Sequence, residues 1–170
     1  MQYLIQKLSR DKFILESPAN EQFRKYFIRE CDEINGWSET YGAFGSGLLL
    51  GAITFKIPRK RPLCANIKLL YVFPEHQRKG IGEYLCQFAF EVARQMHCSY
   101  FRVSVSPDAY DFYHKVGFKY WGRQRSGCYL SIFKISDTIK NGIYARDSYI
   151  EKCLTKGCRG SLKEEFNAPI

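Results

Sequence analysis

The passage from Ile67 to Met96 constrains the fold more than any other part of this 170-residue chain. Ile67 to Phe73 is an almost unbroken apolar run that stops at Pro74, as expected of a strand buried in the middle of a sheet. From Gly80 onward, apolar residues recur at helical spacing, at positions 81, 85, 88, 92 and 96. The passage therefore predicts a buried strand that a short polar loop joins to a long amphipathic helix.

The polar loop between that strand and that helix carries glycine and positive charge. Gly80 and Gly82 lack side chains, so an anion can approach the backbone closely there. Arg78 and Lys79 add positive charge, and the free N–H groups at the start of a helix bind anions with the help of the helix dipole. The segment predicts a phosphate- or pyrophosphate-binding loop. An ordinary strand-to-helix turn eased by glycine is the alternative interpretation.

Hydrophobic periodicity along the rest of the chain alternates strand and helix patterns. Gly117 follows the last helix pattern, where a left-handed glycine cap commonly ends a helix. Pro58 and Pro62 bound a basic turn, because two prolines bar a regular strand. The interleaving predicts an α/β domain. Strand patterns cover 2–8, 39–44, 48–57, 67–73, 101–105, 118–120 and 129–133, helix patterns cover 20–34, 80–96 and 109–116, and hairpin turns are expected at 45–47 and 122–127.

The composition is typical of a globular protein. An apolar fraction of 45% and an aromatic fraction of 16% can build a hydrophobic core, which excludes a disordered chain. We expect one domain over residues 1–135 and a less regular extension over 136–170, with a helical pattern near 148–154. We expect neither a signal peptide nor a membrane span. Seven irregularly spaced cysteines favour a reducing compartment, so a cytoplasmic protein is expected. We also expect no metal site.

Two blocks of the sequence resemble a known family. Residues 77–82 fit the pattern Gln/Arg-x-x-Gly-x-Gly/Ala at every position. Residues 109–118 form a helix pattern that carries Tyr113 and ends in Gly117-Phe118. Both blocks are similar to the signature blocks of the GNAT superfamily of N-acetyltransferases, and the order of elements from about residue 48 to residue 133 is similar as well.

The resemblance implies a fold and a cofactor. The fold would be α/β, with a mixed, mostly antiparallel central sheet whose central parallel strands splay apart, flanked by helices. The cofactor would be acetyl-CoA, with its pyrophosphate surrounded by the loop amides and its pantetheine arm paired with the strand before the loop, in the gap between the splayed strands. The cofactor-binding residues that the resemblance implies are Leu70, Tyr71, Val72, Gln77, Arg78, Lys79, Gly80, Ile81, Gly82, Ser106, Ala109 and Tyr113.

The resemblance also implies the chemistry, which is direct transfer of the acetyl group to an amine without a covalent enzyme intermediate. Tyr113 would be the general acid that protonates the departing thiolate, because a phenol is a neutral donor at pH 7. A packed aromatic ring is the alternative interpretation of this residue. The N–H of Val72 would stabilise the developing oxyanion.

The general base departs from the family pattern. Several family members place a glutamate eleven residues before the Gln/Arg, and here that position holds Asn66, with Lys68 two residues further on. An amide can orient a water or the amine, but it cannot take the proton. The remaining candidates are Asp32, Glu33, Glu39 and a chain of waters to bulk solvent.

The net charge of +9 indicates an anionic partner. The cofactor accounts for part of this charge, and the rest concentrates at 59–61 and at Arg123 and Arg125, where hairpin tips are expected. An acidic acceptor is therefore a hypothesis: an acidic protein, an RNA or a DNA. The alternative function is a binding module that keeps the fold but has lost or redirected acetyl transfer. Asn66 favours that alternative, whereas the intact loop and Tyr113 disfavour it.

Overall fold

One mixed sheet organises the residues that the computed structural model describes, which are 3–8, 38–57, 64–135 and 158–159. The elements in chain order are β1 (Leu4–Lys7), β2 (Ser38–Gly45), β3 (Leu48–Lys56), β4 (Cys64–Val72), α1 (Ile81–Gln95), β5 (Tyr100–Val105), α2 (Tyr110–Val116), β6 (Lys119–Gln124), β7 (Tyr129–Lys134) and β8 (Cys158–Arg159). The strand order is β1-β2-β3-β4-β5-β7-β6-β8. Of these neighbouring pairs, β4 with β5 is parallel and the others are antiparallel, which confirms the predicted class.

The elements around the polar loop form where the sequence predicts them. β4 ends at Val72 and α1 begins at Ile81, directly after Gly80. Gly117 ends α2 in the left-handed conformation, with a φ of 105°. Three predicted segments lie outside the described residues, namely the helix pattern at 20–34, the basic turn at 58–62 and the helix pattern at 148–154.

The last hairpin differs from the prediction. The pattern predicts a turn over 122–127, but β6 continues to Gln124. A one-residue bulge just before Gly122 allows the strand to run on past this glycine. Arg123 therefore lies within a strand, whereas Arg125 lies in the turn. β8, from the predicted extension, pairs along the end of β6.

The two faces of the sheet bury separate hydrophobic clusters. On one face, α1 packs its apolar stripe against the central strands. None of the described helices is long and apolar enough to cross a membrane. Members of this larger cluster include Phe55, Ala65, Ile67, Leu85, Ala89, Phe101 and Val103. The smaller cluster on the opposite face consists of Leu8, Phe44, Leu49, Ala52 and Phe73.

β4 changes its pairing at Lys68. On the β3 side the register slips between Ile67 and Leu69, which leaves Lys68 as an extra residue. On the β5 side the last pair is Ile67 with Val103. A bulge bends a strand and increases its twist. Beyond Ile67 the two parallel strands therefore part, while β4 stays paired with β3 as far as Val72. This parting is the splay that the family resemblance implies.

The bulge also changes which side chains of β4 face α1. Side chains alternate between the faces of a strand, so one extra residue reverses the alternation. Ala65 and Ile67 before the bulge, and Leu70 and Val72 after it, accordingly pack in the same cluster under α1. Tyr71 packs in the cluster on the opposite face.

Replacing Gly51 tests the close approach of β3 to β4. A Cβ atom there would lie 2.6 Å from the Tyr71 carbonyl oxygen and 3.1 Å from Cα of Val72, and both are backbone atoms. We expect Gly51→Ala to lower the free energy of unfolding by about 2 kcal/mol, because β4 must shift to admit the methyl group. Urea denaturation measures this. Gly45→Ala is the matched control, since its Cβ would meet the movable end of the Leu50 side chain. Equal losses in the two variants would contradict the close backbone contact.

Candidate active site

Backbone groups of β4 line the gap between β4 and β5. The N–H of Phe73 donates to the carbonyl of Leu50 at 3.0 Å, so Phe73 continues the ladder with β3 at a hydrogen-bonded position. Hydrogen-bonded positions alternate along an antiparallel strand. Tyr71 therefore turns its N–H and C=O toward β3. Leu70 and Val72 turn theirs toward the gap, where no strand among the described residues pairs with them.

The loop over residues 77–80 has an unusual backbone at the end of this gap. Arg78 has a φ of 59° and Gly80 a φ of 78°, both in the left-handed region. This conformation costs a non-glycine residue on the order of 1 kcal/mol, and Ser46 and His97 share it in two other turns. Gly80 is also the N-cap of α1 and provides no side-chain cap. The N–H groups of the first turn, which begins at Ile81, thus have no partner within the helix and can bind an anion.

Hydrogen bonds tie this loop to two neighbouring strands. Gln77 donates from Nε2 to the carbonyl of Val72 at 3.0 Å, which fixes the loop to the end of β4. The hydroxyl of Tyr3 donates to the carbonyl of Lys79 at 2.9 Å, which fixes it to the residue before β1. Tyr84 on α1 holds Tyr3 in turn, through a hydroxyl-to-carbonyl bond of 3.2 Å and a ring contact. The loop is therefore held in its strained conformation from both sides.

Tyr113 lies on α2 with a buried ring and an accessible hydroxyl. Its side chain packs edge-on against Phe112 and Phe118, and the residue is 7% exposed. Among the described residues, none hydrogen-bonds its Oη, and the one fully buried side-chain oxygen without a partner belongs to Ser99. The small exposed part of Tyr113 therefore includes its hydroxyl, which can meet a bound molecule.

Burial keeps the Tyr113 hydroxyl and the nearby Cys86 thiol protonated at neutral pH. Loss of hydration, with a smaller contribution from nearby Cys86, raises the pKa of Tyr113 well above its ordinary value. The phenol is therefore a proton donor throughout the physiological range. Burial also raises the pKa of the Cys86 thiol to about 12, so this cysteine is not a thiolate nucleophile at neutral pH.

β4, α1 and α2 meet at Gly82. A Cβ atom at this position would lie 3.1 Å from the ring of Phe112 on α2 and 3.6 Å from Cγ2 of Val72 on β4. Phe112 directly precedes Tyr113 in the helix. The absence of a side chain at Gly82 thus lets the start of α1, the end of β4 and α2, the helix that carries Tyr113, come close together.

The other predicted cofactor residues lie at the same end of the sheet, but one of them is an exception because it faces away from the gap. Ser106 precedes a short 3-10 turn between β5 and α2, Ala109 ends it, and the N–H of Ala109 donates to the carbonyl of Ser106 at 3.0 Å. Tyr71 is the exception. Its backbone faces β3, and its ring packs on Phe73 at the opposite face, with the ring centroids 5.4 Å apart. The structure does not bring Tyr71 to the gap.

Known proteins share this arrangement. The model of the acetyltransferase (GNAT) family matches residues 3–118. The chain belongs to the GNAT family. None of the curated proteins compared with the chain matches it.

Solved structures of GNAT enzymes have the same fold. PaiA N-acetyltransferase from Thermoplasma acidophilum, solved in complex with coenzyme A, is 25% identical with a TM-score of 0.63, covering 79% of this chain and 99% of that one. The ribosomal-protein-S18-alanine N-acetyltransferase from Escherichia coli is 14% identical with a TM-score of 0.63, covering 83% and 99%. The spermidine/spermine N-acetyltransferase SpeG from Vibrio cholerae is 15% identical with a TM-score of 0.59, covering 79% and 95%. The last two show the fold alone. The cofactor of the family is acetyl-CoA.

Asn66 on β4 stands at the position where several GNAT members have a glutamate. Asn66 is half-buried and in register with Lys56 on β3 and with Arg102 on β5. Its Nδ2 lies 3.5 Å from the carbonyl of Cys64, which is a long contact. The side chain can therefore reorient toward a water or an amine.

Glu39, one of the alternative bases, is engaged elsewhere. Its carboxylate accepts hydrogen bonds from the Tyr41 hydroxyl at 2.6 Å and from Nζ of Lys7 at 2.9 Å. Burial by itself would raise the pKa of Glu39, but the two hydrogen bonds outweigh it and hold the pKa below its usual value. A carboxylate of this kind is a weak base. The other two candidates, Asp32 and Glu33, lie outside the described residues.

Two residues that shape the site are missed by sequence patterns. The hydrogen bond of Tyr3 spans 76 positions and has no motif to announce it. Lys68 does leave a trace, because it is the one charged residue in the apolar run from Ile67 to Phe73.

We expect Tyr3→Phe to weaken binding of acetyl-CoA about two- to tenfold, because it removes one hydrogen bond from the strained loop. Isothermal titration calorimetry measures the affinity. Tyr41→Phe is the matched control, since it also removes one hydroxyl hydrogen bond but its acceptor, Glu39, is remote from the loop. An unchanged affinity in Tyr3→Phe, or an equal loss in both variants, would show that Tyr3 does not support the loop.

Proposed function

We propose that the protein is an N-acetyltransferase that transfers the acetyl group of acetyl-CoA directly to an amine acceptor. One observation carries the proposal: the glycine-containing loop, the open edge of β4 and α2, the helix that carries Tyr113, meet at Gly82. When bound, acetyl-CoA supplies a thioester whose carbonyl an amine can attack. Membership of the family supports the same activity.

The loop and the edge of β4 are assigned to the cofactor. The N–H groups from Arg78 to Gly82 would hold the pyrophosphate, with the exposed side chains of Arg78 and Lys79 adding charge. The backbone groups of Leu70 and Val72 would pair with the pantetheine arm. The carbonyl of Val72 already accepts a hydrogen bond from Gln77, so its N–H is the group assigned to the developing oxyanion.

Tyr113 is assigned the role of general acid. Its accessible hydroxyl and its raised pKa support this role, because a neutral phenol in a buried site can give its proton to a departing thiolate. No cysteine is needed as a nucleophile. Among the described residues, the thiol near Tyr113 is that of Cys86, and burial keeps this thiol protonated.

The acceptor amine must lose a proton before it attacks the thioester. Asn66 is assigned the role of orienting either the amine or a water that carries this proton to bulk solvent. The acceptor class proposed is an amine of a small molecule, a protein or a nucleic acid. The named structural neighbours differ in this respect, since one acts on an alanine of a ribosomal protein and another on spermidine and spermine.

A second candidate function is a GNAT-fold module that binds a nucleic acid or a protein partner without transferring acetyl groups. The observation that favours it is Asn66, because no carboxylate stands at the position where several relatives have a base. The strained loop and the accessible Tyr113 favour the enzyme, since a binding module needs neither.

Calorimetry with acetyl-CoA, followed by thiol release over a panel of amines, peptides and RNA, tests the proposal. We expect binding with a Kd below about 1 mM and release of free thiol with at least one amine. Absence of cofactor binding would reject the acetyltransferase function. Binding without thiol release for every acceptor in the panel would favour the binding module.

We expect Tyr113→Phe to lower kcat about a hundredfold or more while acetyl-CoA affinity changes little, because it removes the proton donor and keeps the ring. Assays of thiol release measure kcat, and calorimetry measures the affinity for acetyl-CoA. Tyr110→Phe on the same helix is the matched control and should keep full activity. Since burial raises the pKa of Tyr113, the wild-type rate should show no loss from ionisation of this phenol up to pH 10, its ordinary pKa. A fully active Tyr113→Phe variant would mean that another acid serves.

A further inference from the structure

The carbonyl of Lys79 and the N–H of Gly80 belong to one peptide group of the loop over residues 77–80. In a trans peptide, as here, these two groups point in opposite directions. The hydroxyl of Tyr3 donates to the carbonyl at 2.9 Å. Among the described residues the N–H of Gly80 has no acceptor, so it points away from Tyr3 and can meet an anion. Tyr3 thereby sets the direction of one of the amides assigned to the pyrophosphate.

Glycine leaves this peptide group two orientations. Gly80 has a φ of 78°, and a half-turn of the peptide would bring φ into the negative region, which glycine adopts about as readily. Packing does not select between them, because a Cβ atom at Gly80 would meet nothing within 4 Å. In the other orientation the carbonyl oxygen would face a bound phosphate and repel it. The hydrogen bond from Tyr3 selects the favourable orientation, and it also polarises the peptide, which makes the N–H a stronger donor.

Tyr3 itself is positioned by α1 and by β1. Tyr84 on α1 donates from its hydroxyl to the carbonyl of Tyr3 at 3.2 Å, and the two ring centroids lie 5.6 Å apart. β1 follows Tyr3 directly and is only four residues long, with Leu4 57% exposed. It pairs with β2, and no strand among the described residues pairs with its other edge. A short edge strand of this kind opens more readily than the central strands of a sheet.

We propose that Tyr3 is a positioning residue for the cofactor, which holds the peptide between Lys79 and Gly80 with its N–H toward the pyrophosphate and thereby couples docking of β1 to binding of acetyl-CoA. Such a coupling is reciprocal. The factor by which docked β1 raises the affinity for acetyl-CoA is therefore the factor by which bound acetyl-CoA stabilises docked β1. The inference rests on the proposed function, because that function assigns the loop to the pyrophosphate. Release of β1 from the sheet lowers the affinity for the cofactor.

A truncated cofactor separates positioning of the phosphate-binding amide from general support of the fold. S-acetylpantetheine keeps the arm that pairs with β4 but lacks the pyrophosphate. We expect Tyr3→Phe to weaken binding of acetyl-CoA about two- to tenfold and to leave binding of S-acetylpantetheine unchanged, because one hydrogen bond behind a phosphate-binding amide is lost. Calorimetry measures the first affinity and NMR titration the second. Tyr41→Phe, which loses a hydrogen bond to Glu39 instead, should match the wild type with both ligands.

Hydrogen exchange in β1 measures the reciprocal effect. The N–H of Leu8 donates to the carbonyl of Thr40, and hydrogen-bonded positions alternate along an antiparallel pair, so the amides of Leu4, Gln6 and Leu8 report on docking of β1. At saturating acetyl-CoA we expect their exchange in the wild type to slow about two- to tenfold, the same factor as the affinity change. In Tyr3→Phe, also saturated, their exchange should change little.

Three results would overturn the inference while leaving the proposed function intact. These are an unchanged affinity of Tyr3→Phe for acetyl-CoA, an equal loss of affinity for acetyl-CoA and S-acetylpantetheine, and exchange in β1 that acetyl-CoA leaves unchanged in the wild type or slows equally in Tyr3→Phe. The exchange measurement decides the matter if S-acetylpantetheine binds too weakly to titrate. Absence of acetyl-CoA binding by the wild type would instead reject the proposed function, and this inference with it.

Discussion

On the β5 side of β4, a row of backbone hydrogen bonds ends at Ile67, and the rest of the site depends on that ending. One extra residue, Lys68, bends the strand, so the groups of Leu70 and Val72 that would pair with β5 face a gap instead. Buried backbone groups without partners cost about 1–3 kcal/mol each. Such an edge is stabilised by a ligand that offers its own amides, as an added strand would. The pantetheine arm of the family's cofactor has that chemistry.

The loop at the end of the gap shows how strain is maintained at a binding site. Arg78 adopts a left-handed backbone that a side chain disfavours. Hydrogen bonds from Gln77 to Val72 and from Tyr3 to Lys79 hold the loop from both sides. The result is a helix start whose amides stay directed outward before any anion arrives. A preorganised site of this kind spends less binding free energy on ordering the loop.

The two sides of the gap differ in electrostatic character. On the side of α1 and α2, the uncapped helix start favours phosphate, and burial keeps Tyr113 neutral as a proton donor. On the opposite side, Asn66, Lys68 and Arg102 are among the residues that line a polar cavity. The two regions meet where β4 and β5 part.

The sequence by itself determined the local elements, because these depend on neighbouring residues. The apolar run ending at Pro74, the glycines at 80 and 82 and the helical spacing after them predicted β4, the loop and α1, and the two signature blocks predicted the family. The prediction ended β6 too early. Gly122 indicated a turn, but the bulge just before it lets the strand continue. Only the tertiary structure decided that Tyr3 supports a loop 76 positions away, that Tyr71 turns away from the gap and that Lys56, Asn66 and Arg102 form one row. These relations depend on strand register and on contacts distant in sequence, which the order of residues along one segment does not contain.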